Sequence, residues 1–238
     1  MLIEKDKNYF INNPIFVKYK IGFDFAKFSR VKSLKSVFIN ERIIEIPFAI
    51  SCLEGVGKEN RVLDVGCTES VLPLNVACLG YKVMGLDYRP YPYCHPNLTV
   101  AQGDILKLPF KKESFGAIFC ISTIEHVGMG FYQDPQGDAA VDKMAVEEMR
   151  RVLKTNGLLV ITVPFGVSQI NAQQRVYNEE NLRKLLTDFK IREERFFANF
   201  LKADNQTNFW KEVDRDEARR ITSENRTECV CLLKAFKP

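Results

Sequence analysis

The sequence has little that would mark a metal centre, a redox pair or a membrane anchor. It has only two histidines, His95 and His126. Its cysteines (52, 67, 78, 94, 120, 229 and 231) are odd in number and contain no C-x-x-C. That pattern excludes the usual zinc spacings and predicts reduced, mostly buried thiols, with no metal bound. The first ten residues carry Glu4, Lys5, Asp6 and Lys7, so they lack the apolar heart of a secretory signal. No apolar run approaches a membrane span; the longest, Leu158 to Val167, contains Pro164. The chain is therefore expected to be cytoplasmic, with no membrane partner. A large charge excess is also missing. Lys and Arg total 34 against 30 Asp and Glu, a net +4, which argues against nucleic acid as a partner.

Hydrophobic residues make up 46% of the 238, a globular composition of a size suited to one domain with an added segment. Residues 1–38 mix aromatics with lysines and read as an N-terminal extension packed on a domain spanning 39–238. A helix is expected next, capped by Asn40, with Ile43, Ile46, Ile50 and Leu53 near one face and Pro47 as a kink point. The pattern then alternates. Strands are expected at 61–65, 82–87, 98–104, 117–121 and 158–163. Between them fall a helix from Val71 to Leu79, capped by Ser70 and closed by Gly80, and another from about Asp138 to Leu153. Asn178 caps a further helix, with Glu179 and Glu180 in its first turn. Lys190 to Phe197 and Glu228 to Phe236 read as two late strands, separated by a polar stretch with some helical pattern. This is an α/β chain: a Rossmann-like, doubly wound, mostly parallel seven-stranded sheet with an antiparallel last strand.

In such sheets ligands lie beyond the carboxyl ends of the strands. An acidic residue ends or follows each of three successive strands: Asp64, Asp87 and Asp104. Asp is common in turns, but three in register after apolar runs point to a ligand. The first loop, Asp64-Val65-Gly66-Cys67-Thr68-Glu69-Ser70, is not a dinucleotide fingerprint. Thr68 and Ser70 stand where G-x-G-x-x-G would place glycines, and Asp64 would repel a diphosphate. A dehydrogenase is thereby disfavoured. Asp87 lies about 20 residues beyond Gly66, where an acid can accept from ribose hydroxyls. The set suits a cationic nucleoside with a free ribose.

Four segments, "RVLDVGC", "KVMGLDYRP", "AQGDILKLPFKKESFGAIFCISTIEHVG" and "EEMRRVLKTNGLLVITVPFG", resemble in order the motifs of class I S-adenosylmethionine-dependent methyltransferases, over roughly residues 60 to 190. The resemblance is nearest to the small-molecule branch with an "LEHV"-like fourth motif. "DYRPYPYCHPNL" also resembles a bacterial and archaeal subgroup associated with surface-saccharide genes. It implies S-adenosyl-L-methionine as cofactor. It places Asp64 and Gly66 under the methionine part, Asp87 on the ribose, Asp104 at the adenine amino group and Ile105 beside the ring. Ile121 and Ser122 would line the methionine side. Thr68 and Ser70 depart from the family's glycines, and their hydroxyls can either narrow the site or bond the cofactor carboxylate.

Methyl transfer to a hydroxyl needs alignment and a base. His126, beside Glu125 after the fourth strand, is the candidate base; the Glu-His pair can equally be structural. Two segments leave the ligand end of the sheet: 128–138, with Phe131 and Tyr132, and 164–177, with Gln173, Gln174, Arg175 and Tyr177. Tyr132, Arg175 and Tyr177 are expected to meet a hydroxylated or anionic acceptor, such as a sugar, since rings stack and guanidinium forks anions. The expected activity is methylation, at oxygen, of a small molecule or glycan precursor. The alternative is a non-catalytic cofactor-binding partner subunit.

Overall fold

The computed structural model describes residues 39–130, 132, 140–171, 173–201, 208–221 and 228–238. The expected N-terminal extension, Phe131 and the expected helix start at Asp138 lie outside them.

The strands are β1 (Arg61–Val65), β2 (Lys82–Asp87), β3 (Leu98–Gln102), β4 (Phe115–Ile121), β5 (Leu153–Pro164), β6 (Gln169–Ile170), β7 (Arg175–Val176), β8 (Lys190–Leu201), β9 (Asn208–Val213) and β10 (Cys229–Phe236). The helices are α1 (Arg42–Ser51), α2 (Leu72–Cys78), α3 (Val141–Val152), α4 (Glu179–Leu185) and α5 (Arg215–Arg219). Eight strands form one sheet in the order β3-β2-β1-β4-β5-β10-β8-β9, and β6 and β7 form a separate hairpin pair. β1 to β5 pair in parallel. β10 is antiparallel to both of its neighbours, β5 and β8.

The sheet has eight strands, not the expected seven. The extra strand, β9, runs antiparallel along the outer side of β8. It falls in the stretch read as polar. A strand at a sheet edge buries little, and Asn-Phe-Trp-Lys-Glu-Val hides only its two ends.

The central parallel strands are apolar runs because both faces are covered. In β4 every residue is buried. Phe115, Ile118 and Cys120 join the side of the sheet that carries α3, while Ala117, Phe119 and Ile121 join the side that carries α1 and α2. Burying one such large side chain is worth about 1.5–3 kcal/mol, so a charge on this strand would break the sheet at its centre. Asp64 pairs with Phe119, which puts its carboxyl on the α1 side.

The caps follow the residues. Asn178 Oδ1 accepts from Asn181 N at 2.9 Å, and Glu179 and Glu180 sit in the first turn of α4. Asn40 gives no side-chain cap to α1; only its backbone carbonyl takes part, accepting from Ile43 N. The buried stripe of that helix is also displaced from the expected one. Ile43 is 56% exposed, whereas Glu45, Phe48 and Ala49 are buried. Pro47 lies inside the helix. α3 gives way directly to β5 at Leu153, and the turn expected there becomes an excursion within β5 with Asn156 at φ 58°.

Among the described residues, no helix is long and apolar enough to cross a membrane.

Candidate cofactor and acceptor cleft

The parallel strands end on a cleft of about 280 Å³. One half is built from β1, β2, β3 and the turns that follow them. Gly66 makes the first turn with φ 74° and ψ 37°, in the left-handed region. A Cβ on it would lie 2.3 Å from the Thr123 side chain, so only glycine brings this backbone to the cleft wall. Asp87 closes β2. Its Oδ2 accepts from Thr68 N at 2.9 Å and its Oδ1 from Arg89 N at 3.0 Å. Asp104 Oδ1 caps the turn Ile105–Lys107, accepting from Leu106 N at 2.8 Å. Gly66, Asp87, Asp104 and Ile105 all line the cleft.

Thr68 and Ser70 are engaged elsewhere. The Thr68 hydroxyl donates to the Arg89 carbonyl at 3.0 Å, and Ser70 Oγ accepts from Leu72 N at 3.0 Å at the start of α2. Both are buried and neither lines the cleft. They fix the loop from behind.

The other half is built from the ends of β4 and β5, the start of β10, Trp210 of β9 and the entry to α1. Ser122, at φ 42°, and His126 line it. Ile121 is buried beneath it, its carbonyl accepting from Arg42 Nη1 at 3.1 Å and from Thr123 Oγ1 at 2.9 Å. His126 Nδ1 lies 2.7 Å from the Gln173 carbonyl oxygen, and its ring meets Tyr132 edge-on with centroids 5.0 Å apart. The Arg89 guanidinium lies 4.6 Å from the centre of the Tyr132 ring and pairs with Glu69 at 2.6 Å. Tyr132 therefore stands between the two halves.

Arg175 and Tyr177 do not reach the cleft. Arg175 is 7% exposed, and its Nη1 donates to the Val127 carbonyl at 2.7 Å, bracing the turn that carries His126. The Tyr177 hydroxyl donates to Asp142 at 2.9 Å, and burial pushes its ionisation upward.

Three cleft features were not read from the sequence. Glu45 is fully buried at the back of the acceptor half. Its Oε1 accepts from Ser122 Oγ and Thr162 Oγ1, each at 2.6 Å, and its Oε2 pairs with Arg42 at 2.8 Å. Arg42 itself lines the wall, and so does Trp210, whose Nε1 donates to the Ile39 carbonyl at 2.9 Å. A signal for Glu45 did exist: it precedes Phe48 and Ala49 by three and four residues, on their face of the helix.

The electrostatics favour a cation. Asp64 Oδ2 and Glu125 Oε2 are buried with no hydrogen-bond partner. Burial pushes the Asp64 carboxyl up to about 8, opposed by Arg42 and assisted by Asp87. Burial pushes Glu125 up to about 8 as well. Glu125 lines the cleft and Asp64 does not, and a buried carboxyl oxygen without a partner is costly unless something compensates it. Together with the glycine cradle at Gly66, the two carboxyls fit a nucleoside that carries positive charge. The Cys229 thiol also lines the cleft, but burial pushes it up to about 12, so it is no nucleophile near neutral pH. Among the described residues no cluster of His, Cys, Asp and Glu could hold a metal ion.

A Rossmann-like sheet with an antiparallel strand inserted at β10, an acidic cleft at its carboxyl end and no dinucleotide loop define a class I methyltransferase architecture. Residues 63–161 match the family model described as a methyltransferase domain. Solved structures agree in fold. A SAM-dependent methyltransferase of Methanosarcina mazei is 16% identical, with a TM-score of 0.53 over 76% of this chain and 94% of that one. The 1,6-didemethyltoxoflavin-N1-methyltransferase of Burkholderia thailandensis is 16% identical, with a TM-score of 0.56 over 82% and 78%. The methyltransferase bound by the Trm112 activator of Haloferax volcanii is 15% identical, with a TM-score of 0.53 over 83% and 92%. No curated protein matches the sequence. The chain thus carries a methyltransferase domain on the fold of the class I S-adenosylmethionine-dependent methyltransferases.

Proposed function

We propose that this enzyme methylates a small hydroxylated molecule, such as a glycan precursor, at oxygen, with His126 as the base that takes the hydroxyl proton. The observation that carries this reading is the contact between His126 Nδ1 and the Gln173 carbonyl, at 2.7 Å. A carbonyl oxygen only accepts, so Nδ1 holds the hydrogen. Nε2 is then the basic nitrogen of the neutral ring, on a side chain that lines the cleft. Glu125 Oε1 lies 3.8 Å from Nε2.

S-adenosylmethionine, when bound, supplies an electrophilic methyl group on a sulfonium. The chain's part is to hold it and to receive the proton. In this reading Asp64, Gly66 and Ser122 serve the methionine side, Asp87 the ribose, and Asp104 with Ile105 the adenine. Asp87 Oδ2 accepts one loop amide and keeps a second lone pair, and Asp104 uses only Oδ1 within the chain. Tyr132 closes the acceptor side next to His126. The Burkholderia neighbour holds 1,6-didemethyltoxoflavin beside S-adenosylhomocysteine, which supports a small-molecule acceptor here.

The test is His126→Ala in a methyl-transfer screen of saccharides and small hydroxylated metabolites. Turnover should fall by about 10²- to 10⁴-fold, with S-adenosylhomocysteine affinity little changed. The parent's pH–rate profile should rise through a limb that the variant lacks. Full activity with an unchanged profile would remove His126 as the base.

A further inference from the structure

Among the described residues, the acceptor half of the cleft is lined by carboxyl groups that the cofactor half does not explain. Its wall includes Glu41 at the entry to α1, Glu125 after β4 and Glu228 before β10. Glu125 is 1% exposed and is one of the residues that line the cleft, and its buried Oε2 has no hydrogen-bond partner. Among the described residues, the arginine of this wall, Arg42, is matched by Glu45, which lies behind the wall and does not line it. Arg89, the other described arginine of the cleft, pairs with Glu69 and Asp87 near the cofactor side. The Arg175 guanidinium, which would have received an anionic acceptor, points into the protein instead. Beside the acids stands Trp210, fixed by its bond to the Ile39 carbonyl.

We infer that the methyl acceptor carries an ammonium group, held by Glu41, Glu125 and Glu228 beside the indole of Trp210. Carboxylates and an aromatic wall are the two means by which proteins hold organic cations, and here they share one wall. Burial first, then Glu45 and more weakly Glu228, keep the Glu41 carboxyl above its usual range, with Arg42 opposing. An ammonium at this wall would offset the burial cost of these carboxyls. The inference rests on the proposed reading of this half as the acceptor side, and it narrows that acceptor to an amine-bearing alcohol.

Trp210 is the sole tryptophan of the chain, so its fluorescence reports on this wall directly. The probes are trans-4-aminocyclohexanol, cyclohexanol and trans-4-hydroxycyclohexanecarboxylate, which share a ring and a hydroxyl and differ in charge. Each is titrated into the protein saturated with S-adenosylhomocysteine. The amine should bind about tenfold more tightly than the neutral alcohol, with the carboxylate weakest. In the double variant Glu41→Gln, Glu228→Gln that preference should fall below about threefold. Both sites are accessible enough for the amide to be accommodated. Equal affinities, a preference for the carboxylate, no saturable response to the amine, or a preference that survives in the variant would each overturn the inference. So would a preference seen only without S-adenosylhomocysteine, since the acids would then serve the cofactor. The titration involves no methyl transfer. A failure of His126→Ala to slow turnover would thus defeat the proposed base and leave the amine preference standing.

Discussion

Replacing Glu45 by alanine should cost more than any surface change in this protein, and the structure sets the size of the loss. Its carboxylate is the shared acceptor for Arg42, Ser122 and Thr162, at 2.8, 2.6 and 2.6 Å. The Arg42 side chain is 14% exposed and would lose its bond to this carboxylate. Breaking a buried pair from one side typically costs about 3–5 kcal/mol. The Thr162 hydroxyl, fully buried, would also lose its acceptor, a penalty of about 1–3 kcal/mol that overlaps the first. A net loss of about 4 kcal/mol is expected, or a fall in Tm of about 8–16 °C for a domain of this size. The loss should be partly reversible. In Arg42→Met, Glu45→Met the charges leave together, and most of the stability should return, because apolar replacement of a buried pair is often neutral. Urea unfolding of parent, single and double variants measures this as a cycle. A loss below about 1 kcal/mol for Glu45→Ala, or a double variant no more stable than the single, would refute the claim that this carboxylate pins α1 to the ends of β4 and β5.

Two further outcomes are expected. Asp64 is an acid raised to about 8 in the folded chain against about 4 when unfolded, so between those values the folded state binds the extra proton. Stability of the ligand-free protein should therefore decline as pH rises through that window, and Asp64→Asn should flatten the slope in urea midpoints; an equal slope in the variant would count against the buried carboxyl. Gly66→Ala would force a side chain into φ 74° and against Thr123, at a strain of about 1–2 kcal/mol, and should weaken S-adenosylhomocysteine at least about tenfold by calorimetry. Parental affinity in that variant would show that the turn does not face the cofactor.

The strands of the fold were legible because their residues have no choice. Val62, Leu63 and Val65, or the uninterrupted Phe115–Ile121, are buried on both faces, and a run of that kind is a central parallel strand. β9 escaped because an edge strand needs no such run. The acid-terminated strands gave the position of Gly66, Asp87 and Asp104 at one cleft. The roles of Thr68 and Ser70 were hidden, since their hydroxyls bond a carbonyl and an amide distant in meaning from any motif. Arg175 and Tyr177 were assigned by their loop alone, and burial turned both inward. Glu45 was passed over for the opposite reason: a search for apolar periodicity skips the one charged residue on the buried stripe.

The position of β10 in the sheet has a consequence for how the chain acquires its activity. β10 lies between β5 and β8, two strands that precede it in the sequence. Until residues 229–236 emerge from the ribosome, β5 and β8 each present an unpaired edge, and nothing joins them. The half of the cleft at β1 to β3 can form early, because β1 to β4 are consecutive in the chain and make up one block of the sheet. The acceptor half cannot, because Glu228, Cys229 and Val230 arrive with the same strand that closes the sheet. Nascent chains would pass through a stage in which one wall of the cleft is formed and the other is absent, and the final insertion is a long-range pairing of the kind that folds slowly.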